Sequence, residues 1–164
     1  MPIFKTQGLN LVAQPKDAVC WWASATMLYR WSKKSGMGSM IDPLSDSGFA
    51  YRYEQNLDWP SEQNGYMASQ LRMKQIEKID LSYSSLSETL QKRGPIFAGV
   101  ERSWGGVVPF GHAIVIGGGA DTGVLVYDPW PVNRGCIIWL TWAQIRKAID
   151  AITQYARPQF LAAA

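Results

Sequence analysis

The sequence predicts an α+β fold, with helices in its first part and an antiparallel sheet in its second. Before residue 95 apolar residues recur at helical spacing, and after it they form short strand-like runs separated by glycine-rich turns. The chain has 164 residues, of which 47% are hydrophobic and 18% charged. This length and composition argue against disorder and predict a single domain over residues 1–161.

The first helix is predicted to begin after Asp17, an acidic residue that suits an N-cap. Lys33 and Lys34 suit its C-terminal end, before Gly36. Between these ends, apolar side chains recur at steps of three and four residues, as one buried face of a helix requires. They are Cys20, Ala23, Met27, Leu28 and Trp31.

The middle of the chain is less regular. Residues 36–60 have poor periodicity and predict mostly loop with short helical turns. Residues 62–79 have a helical composition and a thin apolar stripe. Ser85 and Glu88 have the spacing of a capping box, which predicts a short helix from about residue 87 to residue 93.

Four strand-like runs follow and predict a β-meander. They are Ile96–Glu101, His112–Gly117, Gly123–Asp128 and Cys136–Leu140. A second capping box, opened by Thr141, predicts a helix to about Ile149. Residues 152–155 are predicted to return as an edge strand. The three alanines at 162–164 are predicted to be a frayed tail or a cloning remnant.

Composition also limits the partners that we expect. Lys and Arg total 16 against 13 Asp and Glu, and the basic residues are scattered, so no nucleic-acid surface is predicted. No apolar run is long enough to span a membrane, and the N-terminus lacks the order of a classical signal peptide. One histidine and two cysteines argue against a zinc site, and no cofactor is predicted.

Cys20 is the candidate nucleophile because it lies near the start of the predicted first helix. A helix N-terminus favours the thiolate, which is the reactive form of cysteine. The alternative is a small buried helix residue, since cysteine is among the most buried residue types. Cys136 lies in an apolar strand and is predicted to be buried, and a disulfide between the two cysteines is not expected.

His112, the only histidine, opens one predicted strand, and Asp128 closes the next. A hairpin centred on residue 120 would place them directly opposite each other, with Cβ atoms about 4.5–5.5 Å apart. At that distance a carboxylate can hold one imidazole nitrogen and leave the other free. A bulge in the glycine-rich turn is expected to spoil this pairing. The alternative is a structural histidine at a strand end.

Residues 14–25, QPKDAVCWWASA, resemble the nucleophile motif of papain-like cysteine proteases, in which a glutamine lies six residues before Cys-Trp. Residues 111–115, GHAIV, and 127–129, YDP, resemble the histidine strand and the third triad position of the same proteases. Within this class, the short domain, the Gln-Pro lead-in and the aspartate are most similar to the avirulence cysteine proteases. These are effectors that bacteria deliver into host cells.

The resemblance implies a papain-like fold, in which the helix that carries the nucleophile packs on the sheet. It makes Cys20 the nucleophile, His112 the general base and Asp128 the residue that orients the histidine. The Gln14 side chain and the Cys20 backbone amide would form the oxyanion hole. Trp130 would shield the hydrogen bond between histidine and aspartate, with core packing as the alternative.

The function implied by the resemblance is that of a cysteine endopeptidase that forms an acyl-enzyme with target proteins. It would be a monomeric effector or toxin, secreted by a specialised bacterial system. Its expected partners are a protein or peptide substrate and either a cognate inhibitor (immunity) protein or a host folding factor. Apolar residues within 37–59 and 104–110 are predicted to wall the cleft and to favour an apolar side chain near the cut.

Two other classes of function stay open at this point. The same Cys-His pair serves papain-clan amidases that act on peptidoglycan peptides, and also deamidases and acyltransferases. The second alternative is an interaction module of the same fold whose catalytic site has decayed.

Overall fold

The computed structural model describes residues 3–163, and within them it has five α-helices and a seven-stranded antiparallel sheet. The predicted α+β class is therefore confirmed. Two short 3₁₀ helices, Pro43–Ser45 and Ser61–Gln63, lie in the middle of the chain. The main elements in chain order are β1 (Phe4–Lys5), α1 (Cys20–Ser35), α2 (Ser47–Glu54), α3 (Asn64–Leu71), β2 (Lys74–Ile76), α4 (Tyr83–Arg93), β3 (Ile96–Arg102), β4 (Phe110–Ala120), β5 (Gly123–Asp128), β6 (Cys136–Thr141), α5 (Trp142–Asp150) and β7 (Phe160–Ala162).

The sheet has the strand order β2-β7-β3-β4-β5-β6, and β1 pairs with the end of β4. Helix α1 packs on one face, where Met27 and Leu28 share a buried cluster with Val115 of β4. Helices α4 and α5 pack on the other face, in a cluster that contains Leu86 and Ile114. Each fully buried side chain of this size stabilises the fold by roughly 1.5–3 kcal/mol. The central strand β4 is thus fixed from both sides.

Helix α1 begins at Cys20, so the prediction that Asp17 is its N-cap is wrong. Val19 occupies the N-cap position without a side-chain cap, and the first helical hydrogen bond joins the Ala23 amide to the Val19 carbonyl at 3.2 Å. The end of the helix is as predicted, with Gly36 in the left-handed conformation at φ 69°. Cys20 is therefore the first helical residue rather than the third.

The predicted helix over 62–79 is divided in the structure. Arg72 adopts a left-handed conformation that ends α3, and residues 74–76 pair with β7 as strand β2. Helix α4 begins at Tyr83, several residues before its predicted start, and Ser85 donates to the Asp80 carboxylate at 3.0 Å rather than forming a capping box. The capping box at Thr141 is present as predicted.

The C-terminal segment is a structural strand. Strand β7 lies between β2 and β3, and its Ala162 pairs with Ile96 and with Lys74. Ala162 and Ala163 are buried, so the predicted tail is wrong for these two residues, and residue 164 lies outside the described residues. The edge strand predicted at 152–155 is also wrong, because these residues form a turn. The edge of β3 is covered by β7 instead.

The β4–β5 hairpin is not centred on residue 120 as predicted. Ala120 pairs with Gly123, and a bulge at Gly117 then shifts the register so that Ile116 pairs with Val126. Continued along the strands, this register places Ile114 opposite Asp128, so His112 is not the direct partner.

The bulge in this hairpin has the opposite effect from the one predicted. Side chains alternate between faces along a strand, and a shift of one residue moves a side chain to the other face. If the register of Ala120 and Gly123 continued without a bulge, His112 and Asp128 would lie on opposite faces of the sheet. The extra residue at Gly117 shifts the register by one and places both side chains on the same face. A Cβ at Gly117 would lie 2.5 Å from the Tyr127 ring, which explains the glycine.

Candidate active site

Cys20 lies at the N-terminus of α1, where backbone amides precede the first helical hydrogen bond. The thiol is free and partly exposed, and it lines a cleft of about 380 Å³ together with His112. The positive end of the helix dipole favours a negative charge at this place. This position fits the predicted nucleophile, whose reactivity stays a prediction.

Two hydrogen bonds fix the start of α1, a buried one to β4 and a partly buried one to the loop at Leu57. Ser24 lies one turn after Cys20, and its hydroxyl donates to the Ala113 carbonyl at 3.0 Å. The Trp21 indole donates to the Leu57 carbonyl at 3.0 Å. Because Ala113 follows His112 in the chain, the first of these bonds holds the helix start beside the histidine.

His112 and Asp128 form a buried pair. His112 Nε2 lies 2.7 Å from Asp128 Oδ1, and the two side chains are 1% and 0% exposed. Burial lowers the pKa of the imidazole, but the negative charge of Cys20 and hydrogen bonds with Asp128 and Cys20 outweigh it and raise the pKa of His112 to about 9. Since Nε2 is held by the carboxylate, Nδ1 is the ring nitrogen left for the thiol.

Asp128 accepts hydrogen bonds from four N–H donors and, at 4.0 Å, from the Cys136 thiol. Oδ1 accepts from His112 and, at 3.0 Å, from the Trp130 amide, while Oδ2 accepts from Arg102 Nε at 2.8 Å and Trp104 Nε1 at 3.1 Å. Burial raises the pKa of this carboxyl, but the hydrogen bonds and charge of His112, with those from Trp130 and Arg102, outweigh it and hold the pKa below its usual value. The carboxylate is fully paired.

Arg102 was not among the predicted site residues, and Trp104 was predicted to wall the cleft rather than to contact Asp128. The signal for Arg102 was the alternation of β3: Val100 pairs with His112, so a residue two positions later lies on the same face of the sheet. The predicted strand stopped at Glu101, one residue short of it. Trp104 lies beyond the strand, and no periodic signal marks it.

Gln14 has a different arrangement from the predicted oxyanion donor. Its side chain is buried, and Nε2 donates to the carbonyls of Lys16 and Asp17 at 2.9 and 2.8 Å. These two bonds use both protons of the amide, because the carbonyls of the tight loop before α1 need donors. In this structure Gln14 therefore stabilises the nucleophile loop and presents no free N–H to the cleft.

Trp130 contacts Asp128 through its backbone amide, and its ring contacts the ring of Phe110. The Trp130 ring packs edge-on against Phe110 with centroids 5.6 Å apart, and Phe110 packs edge-on against His112 at 5.2 Å. Phe110, which was predicted to wall the cleft, is thus an aromatic neighbour of the imidazole. The shielding role of Trp130 stays a prediction.

The cleft beside Cys20 has an apolar interior and an acidic rim. Trp59, Phe97, Ala113 and Ile152 are among its apolar lining residues, and Asp58 and Glu62 are its carboxylates. Of the two predicted walls, residues 37–59 contribute at their end, whereas residues 104–110 contribute nothing because they lie on the Asp128 side of His112. The second wall is formed by residues that follow α5.

Within residues 3–163, no group of three or more His, Cys, Asp or Glu side chains is placed to hold a metal ion. None of the helices described there combines the length and the apolar character that a membrane crossing requires.

A cysteine that opens a helix, packed against an antiparallel sheet that carries a histidine and an aspartate, defines a papain-like cysteine peptidase. The family model described as papain-like cysteine protease AvrRpt2 matches residues 4–142. The chain belongs to this family, and it is a cysteine peptidase, a hydrolase. Among curated proteins the comparison finds no match.

The free energy of unfolding is expected to fall as the pH rises from 6.5 through 9. The pKa of His112 is about 9 in the folded protein and near 6.5 in an unfolded chain. The folded state holds this proton more tightly, so the extra stability is complete below pH 6.5 and is lost as the pH passes 9.

Urea unfolding of the wild type and of His112→Gln at pH 6 and pH 10 measures this effect. Burial also raises the pKa values of Cys136 and Tyr127, which act in the same direction, so the difference between the two proteins isolates His112 and its partners. Equal losses of stability in the two proteins would contradict the prediction.

Proposed function

We propose that Cys20, His112 and Asp128 form a catalytic triad that cleaves peptide bonds of target proteins through an acyl-enzyme. The observation that carries this proposal is the position of the histidine, which Asp128 holds at 2.7 Å through one nitrogen and which lines the same cleft as Cys20. A structural histidine needs no second acidic partner in a cleft.

The reaction follows from the charges of these groups. The Cys20 thiolate attacks the carbonyl carbon of the substrate, and the His112 imidazolium protonates the leaving amine. Neutral His112 then takes a proton from water, whose oxygen attacks the thioester and releases Cys20. Asp128 keeps the ring oriented and stabilises its positive form throughout.

The oxyanion of the tetrahedral intermediate needs hydrogen-bond donors. The backbone amide of Cys20 supplies one, since it precedes the first hydrogen bond of α1. Gln14 supplies the second only if its amide turns away from the carbonyls of Lys16 and Asp17 when substrate binds. Loss of one such donor costs on the order of 3 kcal/mol in transition-state stabilisation.

The substrate is a protein, as the peptidase family indicates, and we propose cleavage within the chain rather than at an end. Apolar residues such as Phe97 and Ile152 line the cleft beside Cys20. We therefore expect an apolar side chain near the scissile bond. Trp130 is retained as a shield of the His112–Asp128 bond, acting through Phe110.

We also propose that the protein acts after delivery into a host or neighbouring cell as a monomeric effector or toxin. The family named for an avirulence protein supports this. A host folding factor or a cognate inhibitor protein is the regulatory partner expected in that setting.

New N-termini mapped by mass spectrometry test the proposed activity. Wild type and Cys20→Ala are incubated with a eukaryotic cell lysate, which also supplies folding factors, and in parallel with purified peptidoglycan fragments. We expect new protein N-termini with the wild type alone, with apolar residues enriched near the cut. Cleaved peptidoglycan peptides beside intact proteins would show an amidase instead. Identical maps for both proteins would contradict peptidase activity.

A further inference from the structure

We propose that Arg102 and Trp104 are positioning residues that hold the Asp128 carboxylate ionised and oriented toward His112. This inference rests on the proposed triad and adds two residues that act through Asp128. Both donate to the oxygen of the carboxylate that does not face the histidine, at 2.8 Å from Arg102 Nε and 3.1 Å from Trp104 Nε1.

The geometry leaves Asp128 a single orientation. Its Oδ2 is engaged by Arg102 and Trp104, so Oδ1 is the oxygen directed at His112 Nε2. A rotation of the carboxylate would break two charged hydrogen bonds in a place with no access to water, since Asp128 is 0% exposed. The ring of His112 is thereby fixed with its other nitrogen directed away from Asp128.

The charges form an alternating row. Arg102 is positive, Asp128 negative, His112 positive and Cys20 negative when the thiolate forms. A buried carboxylate without a cation favours protonation over ionisation. The Arg102 side chain, which is 6% exposed, is itself desolvated and acts on its neighbours with little screening.

Arg102 also connects the triad to the β3–β4 loop. Its Nη1 donates to the Trp104 carbonyl at 2.8 Å, and its guanidinium lies 5.1 Å from the Trp104 ring centroid. The same side chain therefore places the indole whose N–H reaches Asp128. Arginine supplies the Nε and Nη donors in one plane, which lysine does not.

Few titratable or charged groups lie next to Asp128. The titratable or charged groups that face it are Arg102 from β3, His112 from β4 and Cys136 from β6, whose Sγ lies 4.0 Å from Oδ2. From α1, Cys20 acts through His112. Arg102 is thus the permanent cation of the cluster, and its removal disfavours both anions, the carboxylate and the thiolate.

Alkylation of Cys20 by iodoacetamide tests the inference without a peptide substrate. The rate is followed by peptide mass spectrometry from pH 3 to pH 10, with N-acetylcysteine added to each reaction as the reference thiol, because Cys136 contacts Asp128 and would itself respond to the variants. Arg102→Gln keeps a donor but loses the charge, and we expect the acid limb of the Cys20 profile to move up by about half a pH unit or more. Arg102→Lys keeps the charge and should leave the limb near its wild-type position.

Trp104→Phe removes only the indole donor to Asp128. It provides the test if Arg102→Gln does not fold. We expect its acid limb to move up by a smaller amount, with kcat lowered and KM unchanged on a cleaved peptide. A purely structural role would reduce the folded fraction without moving the limb. Profiles of folded Arg102→Gln and Trp104→Phe that coincide with the wild type would overturn the inference.

The wild-type profile separates the two levels of the proposal. If Cys20 is alkylated no faster than the reference thiol in the wild type, the triad is wrong and this inference fails with it. If wild-type Cys20 is selectively reactive but the variants match it, only the assignment of Arg102 and Trp104 fails.

Discussion

Asp128→Asn is expected to lower the free energy of unfolding by about 3–5 kcal/mol, although it changes one atom. Asparagine keeps the shape of the side chain but removes the charge that pairs with Arg102 and His112. Four N–H donors point at Asp128, and an amide brings two more protons among them. The guanidinium of Arg102 would stay buried without a counter-ion.

Urea unfolding followed by tryptophan fluorescence measures this loss. The control is the double variant Asp128→Asn/Arg102→Met, which removes the stranded cation. Because replacement of a whole buried ion pair by apolar groups is much less costly than removal of one partner, the double variant should be more stable than Asp128→Asn by at least 1 kcal/mol. Peptidase activity should remain lost. A single variant within about 1 kcal/mol of wild type would contradict the role of Arg102 as a buried counter-ion.

Local patterns in the sequence were sufficient to predict much of the site. Cys20 lies at the start of an amphipathic helix, and His112 and Asp128 lie in successive strands, so their proximity follows from an antiparallel hairpin. The predicted register of the β4–β5 hairpin was wrong by two residues. A shift of two keeps every side chain on its face of the sheet, so His112 and Asp128 still lie on the same face. An error of one residue would have separated the two side chains.

Features that depend on distant parts of the chain could not be predicted in this way. Three terminal alanines carry no periodic signal, yet Ala162 lies in a strand between β2 and β3, where it pairs with Lys74 and Ile96. The Gln14 side chain donates to two carbonyls of its own loop, and only the folded backbone brings those carbonyls within hydrogen-bond distance. Arg102 was not predicted as a site residue because the predicted strand ended at Glu101, one residue before the observed end of β3.

His112→Ala is expected to lower kcat/KM by a factor of about 10⁴ or more on a peptide cleaved by the wild type. Without the imidazolium, the thiolate of Cys20 loses its counter-ion and the leaving amine has no proton donor. The loss should fall on kcat, because His112 is buried at the base of the cleft and its role lies in the reaction rather than in binding.

A double-mutant cycle shows whether the two residues act as one unit. If they do, Cys20→Ala/His112→Ala should be no less active than Cys20→Ala alone, since the histidine has nothing left to activate. Independent roles would instead multiply the two losses. Alkylation gives the complementary readout: near neutral pH, Cys20 should react more slowly in His112→Ala than in the wild type, because the imidazolium that favours its thiolate is gone. A Cys20 that stays selectively reactive would assign its reactivity to the N-terminus of α1 rather than to the histidine.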